Sequence, residues 1–576
     1  MILRRAALFA CLLILASSAG LADDALMGRY GPQQMGFTSE KLEPPLILAW
    51  EFTANKYHDN PAAPVVANGM CYFASGDRVY GLDMETGNLI WKYPMEQSLT
   101  STVKATPAIV DGKLYFGTGD GKLYCLDEQT GAFQWFFETR AALRCPPLVQ
   151  DGILYLGSDD NSIYTIDAST GDTAWSKPFV SRDDFANGIA VGAGIVVGSS
   201  MDGTLYGVNA SSGKQKWGFR LPSAPVKTSP IMTENVTIMA LGNVVYGLTT
   251  RSGQRKWMIQ LPSDVSATPA TDGTDVFVPC HNKKLYCYNI AGRQPALKAT
   301  WVEPADIGGI PLSSPTVADQ LVYCTGSHGV VSAFSVVDGT LKWRYVFAPS
   351  AITTPGSSFT DASTSPIVAN GALLVLTDDG VLHCFTKTAP DTSPPDIYFI
   401  TPANGTRMSG APPIKFSAAL YDMGSGVDFS SATMMLDSES VELATDMNTS
   451  TVSYVTDIGD PNVSVVKPLK DGVHIVTLVV KDYAGNQLVK EWSFTADSSM
   501  PPPRRTQAEV GKSSKEPGVV SPSGRNTGPS RSGNMTPPLP PPPPGPGDNS
   551  SPNDGSFGRH GRHNRGNYND QQPPGQ

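Results

Sequence analysis

Three basic side chains, Lys104, Arg144 and Lys227, stand at one repeated position, three residues before a proline that opens a β-type run. Cations at equivalent places in a repeating fold gather on one rim, and such a rim suits an anion or an acidic segment of a partner protein. The plainer reading is solvated loop charge, balanced by Asp77, Asp120, Asp160, Asp202 and Asp379 in turns expected on the same face. His281 and His328, with Cys280 beside the first, are residue types that bind zinc, yet sequence leaves the distance between repeats open. His58, His383 and His474 belong to no recognisable set of supporting ligands, and His560 and His563 lie in a low-complexity tail. Asp422, Asp428, Asp482 and Asn486 offer oxygens to a structural calcium, although Asp-Gly and Asp-x-x-Gly turns explain the same residues without an ion. No Ser/His/Asp order, phosphate-cradling glycine loop or carboxylate pair stands out. No catalytic, cofactor-binding or metal-ligating residue is therefore assigned.

What must position these residues is a repeat. "GKLYCLDEQTGAFQW", Gly121 to Trp135, returns with small changes ending at Trp91, Trp175, Trp217 and Trp257, and more loosely at Trp301 and Trp343. From Trp50 onward the spacings are 41, 44, 40, 42, 40, 44 and 42 residues, the period of a four-stranded propeller blade. Asp111-Gly112 and Asp120-Gly121 read as tight hairpin turns. Asp127, with Thr130-Gly131 behind it, reads as the wider turn into the Trp strand. The Trp column is expected to pack between neighbouring blades, each ring contributing at most about 4–6 kcal/mol from ~150–250 Å² of burial. Its role is structural docking.

Counting sets the ring size. Seven first strands begin at a proline (Pro64, Pro107, Pro147, Pro230, Pro269, Pro315 and Pro366), and an eighth begins at Gly188. The eighth set, ending near Phe385, has no Trp strand after it, while Trp50 has no strands before it. Joining them predicts an all-β, eight-bladed propeller over 46–389, closed by pairing N- and C-terminal strands and free of an open edge.

The N-terminus, "MILRR" then an apolar run ending in small residues, reads as a secretory signal over 1–22, cut after Ala22 and followed by an N-terminal segment over 23–45. Cys11 sits inside the apolar run rather than at its end, which argues against a lipid anchor there. Export to the periplasm or outer cell envelope, or secretion, is the expectation. Seven cysteines follow the cleavage site, an odd number, and Cys125, Cys287 and Cys384 share a repeat position that points to small buried side chains. The formal charge of −10 becomes −12 without Arg4 and Arg5, and a tail of +4 leaves −16 on the folded part. Nucleic acid is an unsuitable partner for so acidic a body.

After the proline linker "DTSPPDI" the 40-residue period stops, and alternating runs over 390–497 predict a β-sandwich without a cysteine pair. Residues 498–576 hold 17 prolines and few apolar side chains, which predicts a disordered Pro/Gly-rich tail serving as a spacer or a docking ligand.

"LDxxTGxxxW", complete at Leu82 to Trp91 and Leu126 to Trp135, resembles the tryptophan-docking motif of the quinoprotein-like, or PQQ-like, propellers, across roughly Pro45 to Thr388. The sandwich, with "DMGSGVD" and "LKDGVHIVTLVVKDYAGN", resembles the Ig-like domains of bacterial extracytoplasmic proteins. The first resemblance implies either a quinone-dependent dehydrogenase or a non-catalytic propeller of the BamB type. Dehydrogenases of the group carry two adjacent cysteines and long loops with a base and calcium ligands. Here no cysteines are adjacent, and the two longest connections hold three acidic side chains, Glu303, Asp306 and Asp361. The expectation is a non-enzymatic, cofactor-free scaffold binding protein partners in the cell envelope. Pyrroloquinoline quinone with calcium belongs to the enzymatic alternative. Polysaccharide binding by the Ig-like domain is the third reading.

Overall fold

The structure, a computed structural model, describes residues 24–54, 62–185, 187–222, 228–291, 299–347, 360–388, 390–447, 449–456 and 468–502. The expected signal segment, Cys11, His58, Lys227 and nearly all of the tail with His560 and His563 lie outside them. No helix among the described residues is long and apolar enough to cross a membrane.

Eight sheets, each with at least four strands and antiparallel except where Phe37–Thr38 pairs parallel to Thr316–Ala318, follow one another along the chain. The first is Val65–Ala67, Met70–Ser75, Arg78–Asp83 and Leu89–Tyr93. In the eighth, Ile367–Ala369, Ala372–Leu376 and Val381–Thr386 are completed by Ile47–Thr53, with Trp50 opposite Cys384 and Leu48 opposite Phe385. Apolar clusters join each sheet to the next. The last of them packs Phe73 and Leu82 of the first sheet against Leu374 and Cys384 of the eighth, so the circle closes. Each innermost strand begins directly after the proline (Gly188 in the fourth sheet), where no ladder donor is lost.

The turns behave according to their chemistry, with one correction. Asp111 (φ 51°) and Gly112 (φ 75°) form the tight left-handed pair that the first hairpin needs. Asp120-Gly121 does not repeat it. Thr118 N–H pairs with Lys122 O across a longer loop in which only the glycine has positive φ, and the Thr118 hydroxyl bonds Asp120 instead. In the wide turn, Asp127 Oδ1 accepts the N–H and hydroxyl of Thr130, as expected of that column. Gly131 there must be glycine, because an added Cβ would meet the Trp91 ring at 2.6 Å.

The Trp column docks blade on blade. The indole N–H groups of Trp50, Trp91, Trp175, Trp217 and Trp301 reach the carbonyl oxygens of Met84, Glu128, Ala210, Thr250 and Val336, each in the next blade. Among the described residues Trp135 and Trp257 find no acceptor. The expectation that every Trp lies on a fourth strand fails in two blades. In the third the strand is Phe179–Val180 and in the sixth Ala305–Asp306, both beyond the Trp. The Thr165 hydroxyl takes the Trp175 amide in place of a ladder partner. The shared cysteine position is the one opposite the Trp, as Cys125 opposite Trp135 shows, and other blades place Gly81, Gly207 or Ala333 there. Only a small side chain fits beneath the indole.

The N-terminal segment does more than lead into the ring. Its carbonyls at Ala25, Leu26, Pro32, Gln33, Met35 and Gly36 accept N–H groups from Val66, Ile109, Val191, Met232, Thr271 and Val317. Tyr30 Oη accepts that of Val368 at 2.6 Å. These donors belong to the innermost strands of seven blades, so the segment is a strap across one end of the central channel. Beyond the linker, two sheets of four and five strands pack as a sandwich around Phe416, Leu478 and Trp492.

Candidate functional site at the channel mouth

At the end of the channel where the innermost strands start, residues of six blades enclose a cavity of about 300 Å³. Half of the lining residues carry a hydroxyl: Thr106, Ser266, Thr268, Ser313, Ser314, Ser363, Thr364 and Ser365. Repetition explains this, since the residues before the proline are "AT", "AT", "SS" and "TS" in four of these blades. Lys104 and Arg144 line it too, so the structure brings two of the three predicted cations together, and Lys227 lies outside the described residues.

Arg144 also shows the balancing expected of the acidic turns, though with a neighbour of the residue named. Its Nε donates to Asp159 Oδ2 at 2.5 Å, with Asp184 at 3.9 Å, and the Asp159 hydrogen bond raises its pKa. Asp160 instead accepts the Arg140 amide and the Tyr164 hydroxyl. Ser266 Oγ and Ser363 Oγ are buried with no hydrogen-bond partner among the described residues. No carboxylate lines the cavity among the described residues.

The strap packs against two of the lining residues. A Cβ on Gly28 would lie 3.5 Å from Thr106 and 3.6 Å from Pro146, both in the cavity wall. Arg29 follows in a left-handed conformation (φ 56°), donating through Nε to Gln34 O at 2.9 Å and through Nη2 to Pro269 O. Its Nη1 is buried without a partner among the described residues, and burial lowers its pKa to about 9. Sequence reasoning missed Arg29 because nothing in "GRYGP" reveals that the segment enters the channel.

The other candidates separate. The His328 amide donates to Asp361 and its ring meets Ser327, while the His281 amide donates to Asp264 O and Cys280 Sγ turns to Val278 O. They form no shared ligand set among the described residues. His383 Nδ1 lies 2.8 Å from Glu51 Oε1 and Nε2 lies 3.2 Å from Thr377 Oγ1. His474 lies between Asp437 Oδ2 and Lys470 O. In the sandwich, Asp422 and Asp482 converge with the linker residue Asp391, their nearest oxygens within 4.8 Å of one another, while Asp428 stands apart and accepts Ser430 N–H. Backbone amides of Gly424, Ser425, Gly426 and Asn486 satisfy the trio. Desolvation, with Asp391 and Asp482 nearby, pushes Asp422 up to about 6. These are the described residues best spaced to hold a divalent cation.

The family profile described as outer membrane protein assembly factor BamB matches residues 48–138, 75–183, 177–296 and 244–388, more than half of the chain. The chain belongs to this family of PQQ-type propellers. Its curated relatives include the dehydrogenase subunit of a quinone-type alcohol dehydrogenase from Gluconobacter oxydans (strain 621H), 33% identical over 98 residues, 16% of this chain and 13% of the relative. A quinohemoprotein alcohol dehydrogenase, ADH-IIG, from Pseudomonas putida is 32% identical over 121 residues, 20% and 17% of the two chains. The chain thus spans less than a fifth of these relatives. Among solved structures, quinohemoprotein alcohol dehydrogenase from Comamonas testosteroni superposes with a TM-score of 0.50 at 15% identity, covering 67% of this chain and 83% of that one. BamB from Moraxella catarrhalis gives 0.48 at 17%, covering 59% and 99%. At such identities the likeness is one of fold.

A quinone with calcium, as in part of this family, needs convergent oxygens and a base. The cavity wall offers cations and hydroxyls, and Asp306 and Asp361 are engaged elsewhere, with Lys284 and with the His328 amide. The described residues of this cavity do not fit that group.

Proposed function

We propose that the protein is an exported, non-catalytic propeller scaffold that holds protein partners in the cell envelope, outer-membrane protein assembly being the pathway the family's description suggests. The observation that carries this reading is the lining of the channel mouth, which comes from six blades and, among the described residues, holds no carboxylate to serve as base or calcium ligand. Fold alone leaves function open. Two packed sheets and the motifs along them support reading the sandwich as an Ig-like domain.

Affinity capture from envelope fractions tests the reading, using the full chain and a chain ending at Asp497. A defined set of envelope proteins retained by both places binding on the folded part. Stoichiometric quinone absorbance with dye-linked alcohol oxidation in calcium would instead make the protein an enzyme.

A further inference from the structure

We propose that the outer rim of blades four and five is a docking surface for an acidic polypeptide segment of a partner protein. The proposal deepens the scaffold reading, on which it rests for expecting a protein partner, by naming the face and the chemistry it takes.

Blades four and five differ in sign from the rest of the chain. From Gly203 to Ser263 there are seven Lys and Arg residues and one acidic residue, Glu234, a net +6, and taking this from the formal −10 leaves −16 on the remainder. Lys227, one of the seven, lies outside the described residues. The other six are Lys214, Lys216, Arg220, Arg251, Arg255 and Lys256. All are exposed, on the outermost strands Gln215–Arg220 and Arg255–Gln260 or in the wide turns just before them.

The docking of one blade on the next gathers these charges. Trp217 donates its indole N–H to Thr250 O at 2.9 Å, and a Cβ added to Gly253 would meet the Trp217 ring at 2.6 Å. Lys216, next to that Trp, therefore stands beside the turn that carries Arg251 and leads into Arg255 and Lys256. Arg220, at the far end of its strand, lies 3.9 Å from Asp202. Among the described residues none of the other five has a carboxylate within ion-pair distance, and Glu234, exposed in the neighbouring hairpin, pairs with none of them.

Lysine on an outermost strand discourages pairing with a second copy, which would bring the same cations. An acidic segment meets no such repulsion, so the side chains that reject a copy select the opposite charge. The flanks favour a narrow partner over a lipid surface. Asp167 and Asp172 stand in the corresponding turn of blade three, and Asp272 and Asp275 in the first hairpin of blade six. An anionic bilayer broad enough to cover the rim would bring its headgroups towards those carboxylates as well, and charges repel within a Debye length of about 8 Å. A single extended segment can touch the cations alone.

The test is calorimetry on the full chain with a hexaglutamate peptide, beside co-sedimentation with vesicles of equal phosphatidylglycerol and phosphatidylcholine. Two double variants remove the same charge: Lys216→Gln with Arg255→Gln in the patch, and Lys177→Gln with Lys342→Gln on other blades. All four side chains are exposed, so both doubles should unfold at the temperature of the unsubstituted chain. The patch double should weaken peptide binding about tenfold or more, a decade in Kd, while the control double stays within about twofold. No peptide binding, or equal loss in both doubles, overturns the proposal. Vesicle binding that the patch double abolishes overturns it too, because the surface would then be a lipid contact. Envelope partners retained equally by the chain and its patch double leave the scaffold reading standing and remove this one.

Discussion

Trp343 donates its indole N–H to the carbonyl oxygen of Ser425 at 2.7 Å, across 82 residues of sequence and from the seventh blade into the sandwich. Earlier members of the column use the wide turn of the next blade. The eighth blade has no such turn, because its fourth strand comes from the N-terminal end of the ring. The sandwich loop around Ser425 supplies the missing acceptor, pinned by Asp391 through the Ser425 amide at 2.8 Å, while Tyr483 packs against the core of blades seven and eight. Propeller and sandwich therefore share an interface. Trp343→Phe, which keeps a ring but strands a buried carbonyl, should cost about 1–3 kcal/mol in urea unfolding. Trp343→Ala should cost about 3–5 kcal/mol. Both should speed proteolysis of the 391–397 linker.

Tyr30 offers a cleaner probe of the strap. Its hydroxyl oxygen accepts the Val368 amide at 2.6 Å, and the hydroxyl donates back to Val368 O at 3.3 Å. Tyr30→Phe leaves that amide without a partner at a small change in volume. A loss of about 1–3 kcal/mol in urea unfolding is expected, with faster amide exchange at Val368.

The thiols should be silent. All seven cysteines among the described residues are free and buried, and desolvation pushes Cys145, Cys280, Cys287 and Cys384 up to about 12 and Cys125 to about 11. Thiolate is the reactive form. A disulfide reagent near neutral pH should label none of the seven in the native protein and all of them in denaturant.

His474 makes part of the sandwich's stability depend on pH. Burial opposes the charged ring, but hydrogen bonds to Asp437 and Lys470 O outweigh it and raise the pKa above the ordinary histidine value. A raised histidine stabilises fully below its unfolded pKa, and that contribution disappears as pH climbs through the folded value. The isolated contribution appears as the difference between the chain and His474→Gln. That difference should be larger at about pH 5.5 than at about pH 8.5, values bracketing the ordinary histidine pKa. A difference independent of pH would mean that the ring is neutral throughout.

The repeat made the ring legible because every blade solves the same local problem with the same residues. Asp127 and Gly131 announce a turn, Trp135 announces a docked ring, and the small residue opposite the Trp follows from the space beneath it. Local hydrogen bonds of this kind depend on neighbours in sequence. Asp120-Gly121 shows the limit, since the same dipeptide that builds a tight hairpin at 111–112 sits in a looser loop where the Thr118 hydroxyl competes for the aspartate. The cationic rim was half legible. Register placed Lys104 and Arg144 at one mouth, while the pairing of Arg144 with Asp159 rather than Asp160 depended on side-chain direction.

Sequence by itself determined the blade count, the strand exchange that closes the circle and the sandwich after the linker, because periodicity and turn chemistry are properties of adjacent residues. Only tertiary structure decided that the strap bonds to seven innermost strands, that Arg29 of the strap reaches the Pro269 carbonyl, and that Ser425 receives Trp343. Almost all of those contacts join segments far apart in the chain through backbone carbonyls. Every residue carries a carbonyl, so no pattern of side chains could mark the ones that would be used.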